Sequence, residues 1–407
     1  MKGWYQVLPD GDVTSPAGFS AAGLHCGIKK TSRFDLGVIY SEIPAVAAAV
    51  YTRNKVQAAP LKITRESLDK EGRLQAVVVN SGNANACTGK QGETDAREMR
   101  AQTARILNVE EHHVAVASTG VIGELMPMTR ILAGIARFPE QLGPDRGPDF
   151  RQAILTTDLT EKHIAATTEV NGKRVTIGGT AKGSGMIHPD MATMLAFLTT
   201  DAVIAREELA RLLAEVTETT FNMITVDGDT STNDMTIAMA NGKAGNESLH
   251  PEHPDWEAFR AAFHFVAEHL AKEIARDGEG ATKLIEVNVH GAVSDASARQ
   301  IAKTVLGSSL VKTAVFGADA NWGRIIAAAG RAGEPLDPDT VDIRIGDIFV
   351  LERSRPVPFD EERATEYLKK TDTVRIDLFL HLGEGSATGW GCDLTYEYVR
   401  INAAYRT

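Results

Sequence analysis

Short apolar runs of strand character alternate with amphipathic helical stretches along all 407 residues, which confines the chain to the mixed α and β folds. Leu74 to Val79, apolar but for Gln75, runs into the turn-rich Asn80-Ser81-Gly82-Asn83-Ala84-Asn85, the pattern of a buried strand. His163 to Val170 and Lys173 to Ile177 flank Asn171-Gly172, a hairpin signal because both residues tolerate positive φ. Leu209, Leu212, Leu213 and Val216 follow helical spacing. So do Trp256, Phe259, Phe263, Val266, Leu270 and Ile274, in a helix that Pro254 can start and Gly278 can end. The last third reads as strands again, over 341–351, 374–382 and 394–401. Hairpins outnumber strand–helix–strand units, so a parallel doubly wound sheet is disfavoured.

Charge narrows the partners. Forty-three basic residues against 54 acidic ones leave −11. That argues against a general nucleic-acid binder and against docking on an anionic membrane surface. The longest apolar run, 43–51, is far short of the roughly 20 residues that a membrane span needs. The first residues lack the apolar stretch of a signal peptide. Three cysteines, Cys26, Cys87 and Cys392, form no CxxC pair, so neither a disulfide framework nor a cysteine-rich zinc site is expected. The expectation is a cytoplasmic, soluble protein.

Several chemistries lack their motifs. No G-x-x-x-x-G-K-[ST] loop, H-E-x-x-H or G-x-S-x-G elbow is present. No metal site is expected: His112 and His113 precede a strand and are read as facing solvent, and His188 as structural. Cys87, in a polar turn, is read as a small packed thiol rather than a nucleophile.

The segment from Lys182 to Leu198 joins a glycine-rich turn, with Pro189, to an apolar strand, and Thr193 stands at the junction. A threonine hydroxyl is a weak nucleophile without a base. Cutting the chain just before it would free an α-amino group of pKa about 7.7–8.0, suited to take the hydroxyl proton. Taken alone, the segment favours the plainer reading of a loop entering a buried strand.

The chain as a whole resembles the self-cleaving ornithine acetyltransferases, the glutamate N-acetyltransferase family of cyclic arginine synthesis. The resemblance is carried by Val13-Thr14-Ser15-Pro16-Ala17-Gly18-Phe19, the 80–87 turn, Ser118-Thr119-Gly120-Val121-Ile122-Gly123 and the 182–195 segment. It continues through 226–234, Asp277-Gly278-Glu279-Gly280-Ala281-Thr282-Lys283, 317–324 and Asn402 to Thr407. These blocks run in family order over essentially the whole chain.

The resemblance implies a layered α/β/β/α sandwich of the self-processing, N-terminal-nucleophile type. It implies a core over 1–280 and a smaller C-terminal α/β domain over 281–407. It also implies cleavage between Ala192 and Thr193, giving an alpha chain 1–192 and a beta chain 193–407, with strands from both in one core and two copies of each chain in the working unit. The Thr193 hydroxyl would take the acetyl group of N-acetylornithine, and glutamate would accept it. No cofactor is required, although some members also use acetyl-CoA as donor. Thr119 and Gly120 match the oxyanion-binding pair. Thr156, Lys182, Thr193, Glu279, Asn402 and Thr407 match the substrate-binding positions, with Thr157 one place from Thr156. By residue type, Lys182 suits a carboxylate and Glu279 an ammonium, while a carboxylate at Thr407 suits an amine. Without the resemblance, Lys182 and Glu279 read as solvated surface charges. The rival on a related scaffold is a self-processing amidase or aminopeptidase, whose family uses serine where this chain has Thr193.

Overall fold

The structure is a computed structural model, and it describes residues 3–188 and 194–404. In chain order the strands begin β1 (Gln6–Leu8), β2 (Phe19–Leu24), β3 (Leu36–Tyr51), β4 (Arg73–Asn83) and β5 (Val114–Val121). They continue β6 (Lys162–Val170), β7 (Lys173–Lys182), β8 (Leu195–Thr200), β9 (Ile224–Thr225) and β10 (Met235–Ala240). The last are β11 (Leu284–Ala292), β12 (Asp342–Ile345), β13 (Ile348–Glu352), β14 (Arg355–Pro356), β15 (Thr373–Phe379) and β16 (Gly385–Cys392). Nine strands pair in the order β1-β6-β7-β8-β10-β3-β4-β5, with β2 also on β3, and seven in the order β14-β13-β12-β15-β11-β16-β9.

The nine-stranded sheet is doubled over on itself through β3. The first part of β3 pairs with β2 and β4. The register with β4 shifts between Tyr40 and Ala45, and the second part of β3 pairs with β10. Such an irregularity bends a strand and raises its twist. Val77, Val79, Ala115 and Ala117 of one half share a core with Leu195, Phe197, Met235, Ile237 and Met239 of the other.

The alternate residues face outward to helices. Ala76, Val78, Val114 and Val116 pack with Ile63 and Met99, from helices Ala59–Glu71 and Gly89–Leu107. On the opposite side, Ala196, Leu198, Ala238 and Ala240 join Leu209 and Leu212 of Arg206–Thr219 and Phe259 and Phe263 of Trp256–Arg276. The layers therefore run helix, sheet, sheet, helix, and strands before and after residues 189–193 share one core. Burial on both faces explains the unbroken apolar run 76–79, since each buried Val contributes about 1.5–3 kcal/mol.

The 171–172 hairpin forms as expected, with Asn171 at φ 49°, Gly172 at φ 69°, and Val170 paired to Lys173. Helix Trp256–Arg276 touches β6 and β7 on one side and β16 on the other. Gly179 permits the first contact: a Cβ there would lie 2.6 Å from Val266 Cγ1.

The C-terminal strand expectation needs one correction. Residues 394–401 do not form a strand; Tyr396–Ala404 is a helix that buries none of its residues. Thr395 Oγ1 accepts the Glu397 N–H at 3.1 Å, satisfying a first-turn donor, and Arg400 pairs with Glu397 one turn on. The strand there is the glycine-bearing β16, where a Cβ on Gly389 would stand 2.8 Å from Leu306 Cδ1. Glycine is poor strand material, but here it lets helix Asp295–Leu306 lie directly on the sheet. Among the described residues no helix is long and apolar enough to cross a membrane.

Candidate active site

One cavity of about 220 Å³ opens where the two sheet halves, the end of helix Trp256–Arg276 and the C-terminal helix meet. Thr119, Gly120, Thr156, Thr157, Lys182, Glu279 and Asn402 all line it. Ala192, Thr193 and Thr407 lie outside the described residues. Ile187, Met194 and Leu195, close to Ala192 and Thr193 in the chain, are cavity-lining residues too.

Thr119 and Gly120 lie near the end of β5, which runs parallel to β4 with Ser81 opposite Thr119 and Gly82 opposite Gly120. Gly120 has φ 134°, and a Cβ there would fall 2.3 Å from the Gly82 carbonyl carbon, so glycine is required. Asn233 clamps this corner, its carboxamide donating to Ala84 O at 2.6 Å and Ser118 O at 2.8 Å. Lys182 closes β7, and its ammonium donates to Thr119 Oγ1 at 3.5 Å across the gap between the sheet halves.

Lys182 and Glu279 are each 7% exposed, not the solvated surface charges that sequence alone suggests. Glu279 is seated by its backbone N–H donating to Ser184 O at 3.1 Å, and Gly185 leaves the room its carboxylate occupies. Asn402 Nδ2 donates to Glu279 Oε2 at 2.7 Å, bringing the C-terminal helix onto the cavity.

Beneath these groups lies an ion network with no exposure at its centre. Lys162 Nζ donates to Asp158 Oδ1 at 2.8 Å and to Asp277 Oδ2 at 2.6 Å. Asp158 Oδ1 also accepts the Gly183 N–H at 2.6 Å, and Oδ2 accepts the Thr156 N–H at 2.9 Å. Burial pushes the Asp158 carboxyl up, but the Lys182 and Lys162 charges and the Thr156 N–H outweigh it and hold it below the usual range. Asp277 O accepts from Ser184 Oγ at 2.6 Å, tying the same network to the turn that seats Glu279.

The turn before residue 188 is pinned as well. Asp227 accepts the Met186 N–H at 2.7 Å and the Ile187 N–H at 2.9 Å; burial raises its carboxyl, and these donors lower it only in part. Thr230 Oγ1 donates to His188 O, and His188 Nδ1 lies 2.9 Å from Thr225 Oγ1. Beyond residue 193, the Met235 N–H donates to Met194 O at 2.9 Å.

Asp158, Asp227 and Asp234 carry this site without having been singled out by sequence, although each sits inside or beside a quoted block. Lys162, a lone lysine at a strand start, carries no sequence signal at all. Asp234 is fully enclosed in the cavity wall; burial holds its carboxyl well above the usual range, and its Oδ2 has no hydrogen-bond partner.

Two expectations away from the site are corrected. His113 is buried and His112 half-buried, both against the Glu71 carboxylate at 3.1 and 3.0 Å. Among the described residues these three make the one group able to converge on a metal. Bound imidazoles normally donate their other N–H to an acceptor. Here Lys70 Nζ stands 3.1 Å from His112 Nδ1, and the buried His113 Nδ1 has no partner. The cluster is a hydrogen-bonded latch between the end of helix Ala59–Glu71 and the start of β5. Cys87 is exposed rather than packed, because the φ 58° turn carries its side chain outward.

The layered sandwich holds a small, charged cavity lined by both sheet halves, and comparison gives the class of the protein as an acyltransferase of arginine biosynthesis. The ArgJ family model matches residues 20–407, and the chain belongs to that family. It is 59% identical over 400 residues to the arginine biosynthesis bifunctional protein ArgJ of Halalkalibacterium halodurans, covering 98% of this chain and 97% of that one. The protein of the same name from Geobacillus kaustophilus is 58% identical over 401 residues, again covering 98% and 97%. The crystal structure of arginine biosynthesis bifunctional protein argJ from Bacillus halodurans aligns with a TM-score of 0.51 at 58% identity. It covers 51% of this chain and 98% of the solved one.

Proposed function

We propose that this enzyme transfers the acetyl group of N2-acetylornithine to glutamate through Thr193, after cleavage between Ala192 and Thr193. The observation that carries the reading is the convergence, in one cavity, of Thr119 and Gly120 with a buried cation, Lys182, and a buried carboxylate, Glu279. The Thr193 hydroxyl attacks the acetamide carbonyl and its proton passes to the freed α-amine, while Thr119 Oγ1 and the Gly120 N–H hold the oxyanion. Collapse forms an acetyl ester and returns the proton to the departing nitrogen of ornithine. Glutamate's amine then attacks the ester, giving N-acetylglutamate and restoring the hydroxyl. Lys182 receives the substrate carboxylate and Glu279 the ammonium, with Thr156, Asn402 and Thr407 completing the pocket.

The relative with a solved structure supports cleavage, because nearly all of that solved chain aligns with only half of this one. Two alpha and two beta chains make the assembly in this reading, and the cytoplasm is its location. The word bifunctional in the relatives' names fits a second donor, acetyl-CoA. Electrophoresis and intact mass of the purified protein test the proposal. Two chains beginning at Met1 and Thr193, and one inactive chain from Thr193→Ala, are expected. An uncut active wild type, or transfer persisting in Thr193→Ala, would overturn it.

A further inference from the structure

We infer that Asp158 and Lys162 are positioning residues that keep Lys182 in place for a substrate carboxylate without engaging its ammonium in a short ion pair. Among the described residues the ion pair of Lys182 is a long one, to Asp158 Oδ2 at 3.9 Å. Its hydrogen bond to Thr119 Oγ1 is long, at 3.5 Å. Asp158 would otherwise draw Lys182 in completely. It does not, because Oδ1 is already taken by Lys162 Nζ and the Gly183 N–H, and Oδ2 by the Thr156 N–H.

Lys162 is therefore the charge partner of Asp158, and Asp277 is the second anion that Lys162 requires so deep in the fold. The same carboxylate holds Thr156, in the cavity wall, and Gly183, the residue after Lys182, so one buried anion fixes the backbone on both sides of the cavity's base. Lys29 adds to the positive field around it; burial lowers its ammonium to about 8, and it is spent on the Phe34 and Leu155 carbonyls at 2.7 Å. Of these lysines Lys182 is the one that lines the cavity, which matches an anionic group on the substrate. None of Asp158, Lys162 and Asp277 lines the cavity, so they act through Lys182, Gly183 and Thr156 rather than on the substrate.

The inference rests on the acetyl-transfer reading above, and its test separates the two. Wild type, Asp158→Asn and Lys162→Gln are assayed with N2-acetylornithine and with N-acetylputrescine, which lacks the α-carboxylate. Folding is followed by thermal melting and processing by intact mass. For either variant that folds, KM for N2-acetylornithine should rise about 10²-fold, the scale set by misplacing a binding group, with kcat within about threefold. The loss on N-acetylputrescine should be under threefold, because that donor has nothing for Lys182 to hold. An unchanged KM, or equal losses on both donors, overturns the inference, and so does a wild type that does not favour the donor bearing the carboxylate. Failure of both variants to fold also overturns it, since the network would then be structural. A wild type that transfers no acetyl group from N2-acetylornithine overturns the acetyl-transfer reading instead.

Discussion

Asn402 Nδ2 donates to Glu279 Oε2 at 2.7 Å, and this bond joins a helix with no buried residues to a carboxylate that is almost wholly enclosed. Helix Tyr396–Ala404 therefore adds little to the core and much to the cavity. Asn402→Ala should lower kcat/KM about tenfold while shifting the melting temperature by no more than about 1 °C, as for an exposed substitution. Steady-state kinetics beside a thermal melt measure the two. A large loss of stability with intact kinetics would contradict the assignment.

Gly120 is expected to tolerate no side chain. Alanine there must displace the Gly82–Asn83 backbone, 2.3–2.5 Å from the new Cβ, and so misdirect the Gly120 N–H. Loss of one oxyanion donor costs about 10²–10³ in kcat. Gly120→Ala at or near wild-type kcat would remove this residue from the mechanism.

Asp234 should leave a signature in the pH dependence of stability. Unfolded, it ionises near the ordinary value of about 3.9. Folded, its burial keeps the proton on to higher pH. Between those two values the folded state binds more protons, so the contribution of this group to stability falls as pH rises. Asp234→Asn has no such slope. The variant should gain on wild type between pH 5 and pH 8 in paired melting experiments, and an equal difference at both would refute the raised carboxyl.

The three thiols should separate cleanly. Cys87 is exposed, Cys392 is buried, and the Cys26 thiol is pushed up by burial and then by the Asp35 carboxylate. Thiolate is the reactive form, so an aromatic disulfide reagent should label one of the three cysteines, Cys87, rapidly. Cys87→Ser should abolish that fast phase; its survival would mean that another cysteine is exposed.

Local chemistry made much of this protein legible in its sequence. The 171–172 hairpin, the helix around Trp256–Ile274 and the buried strand at 74–79 follow from periodicity and turn residues within a short window. The family blocks named Thr119, Gly120, Thr156, Lys182, Glu279 and Asn402, and these residues meet in one cavity. Where local preference and packing disagree, reading the chain alone fails: β16 is a strand whose glycines admit a helix, and of 394–401 the residues from Tyr396 on fall instead in a helix that buries none of them.

By itself the sequence determined the mixed α and β class, the family and the residues with the right chemistry, because these depend on side-chain identity and near neighbours. Only the tertiary structure decided that Lys182 and Glu279 are enclosed and that Asp158 shares Lys162 with Asp277. Those pairings span up to 115 residues of chain. A charge so far from its partner in sequence reveals its role only when folding removes the water that would otherwise solvate both.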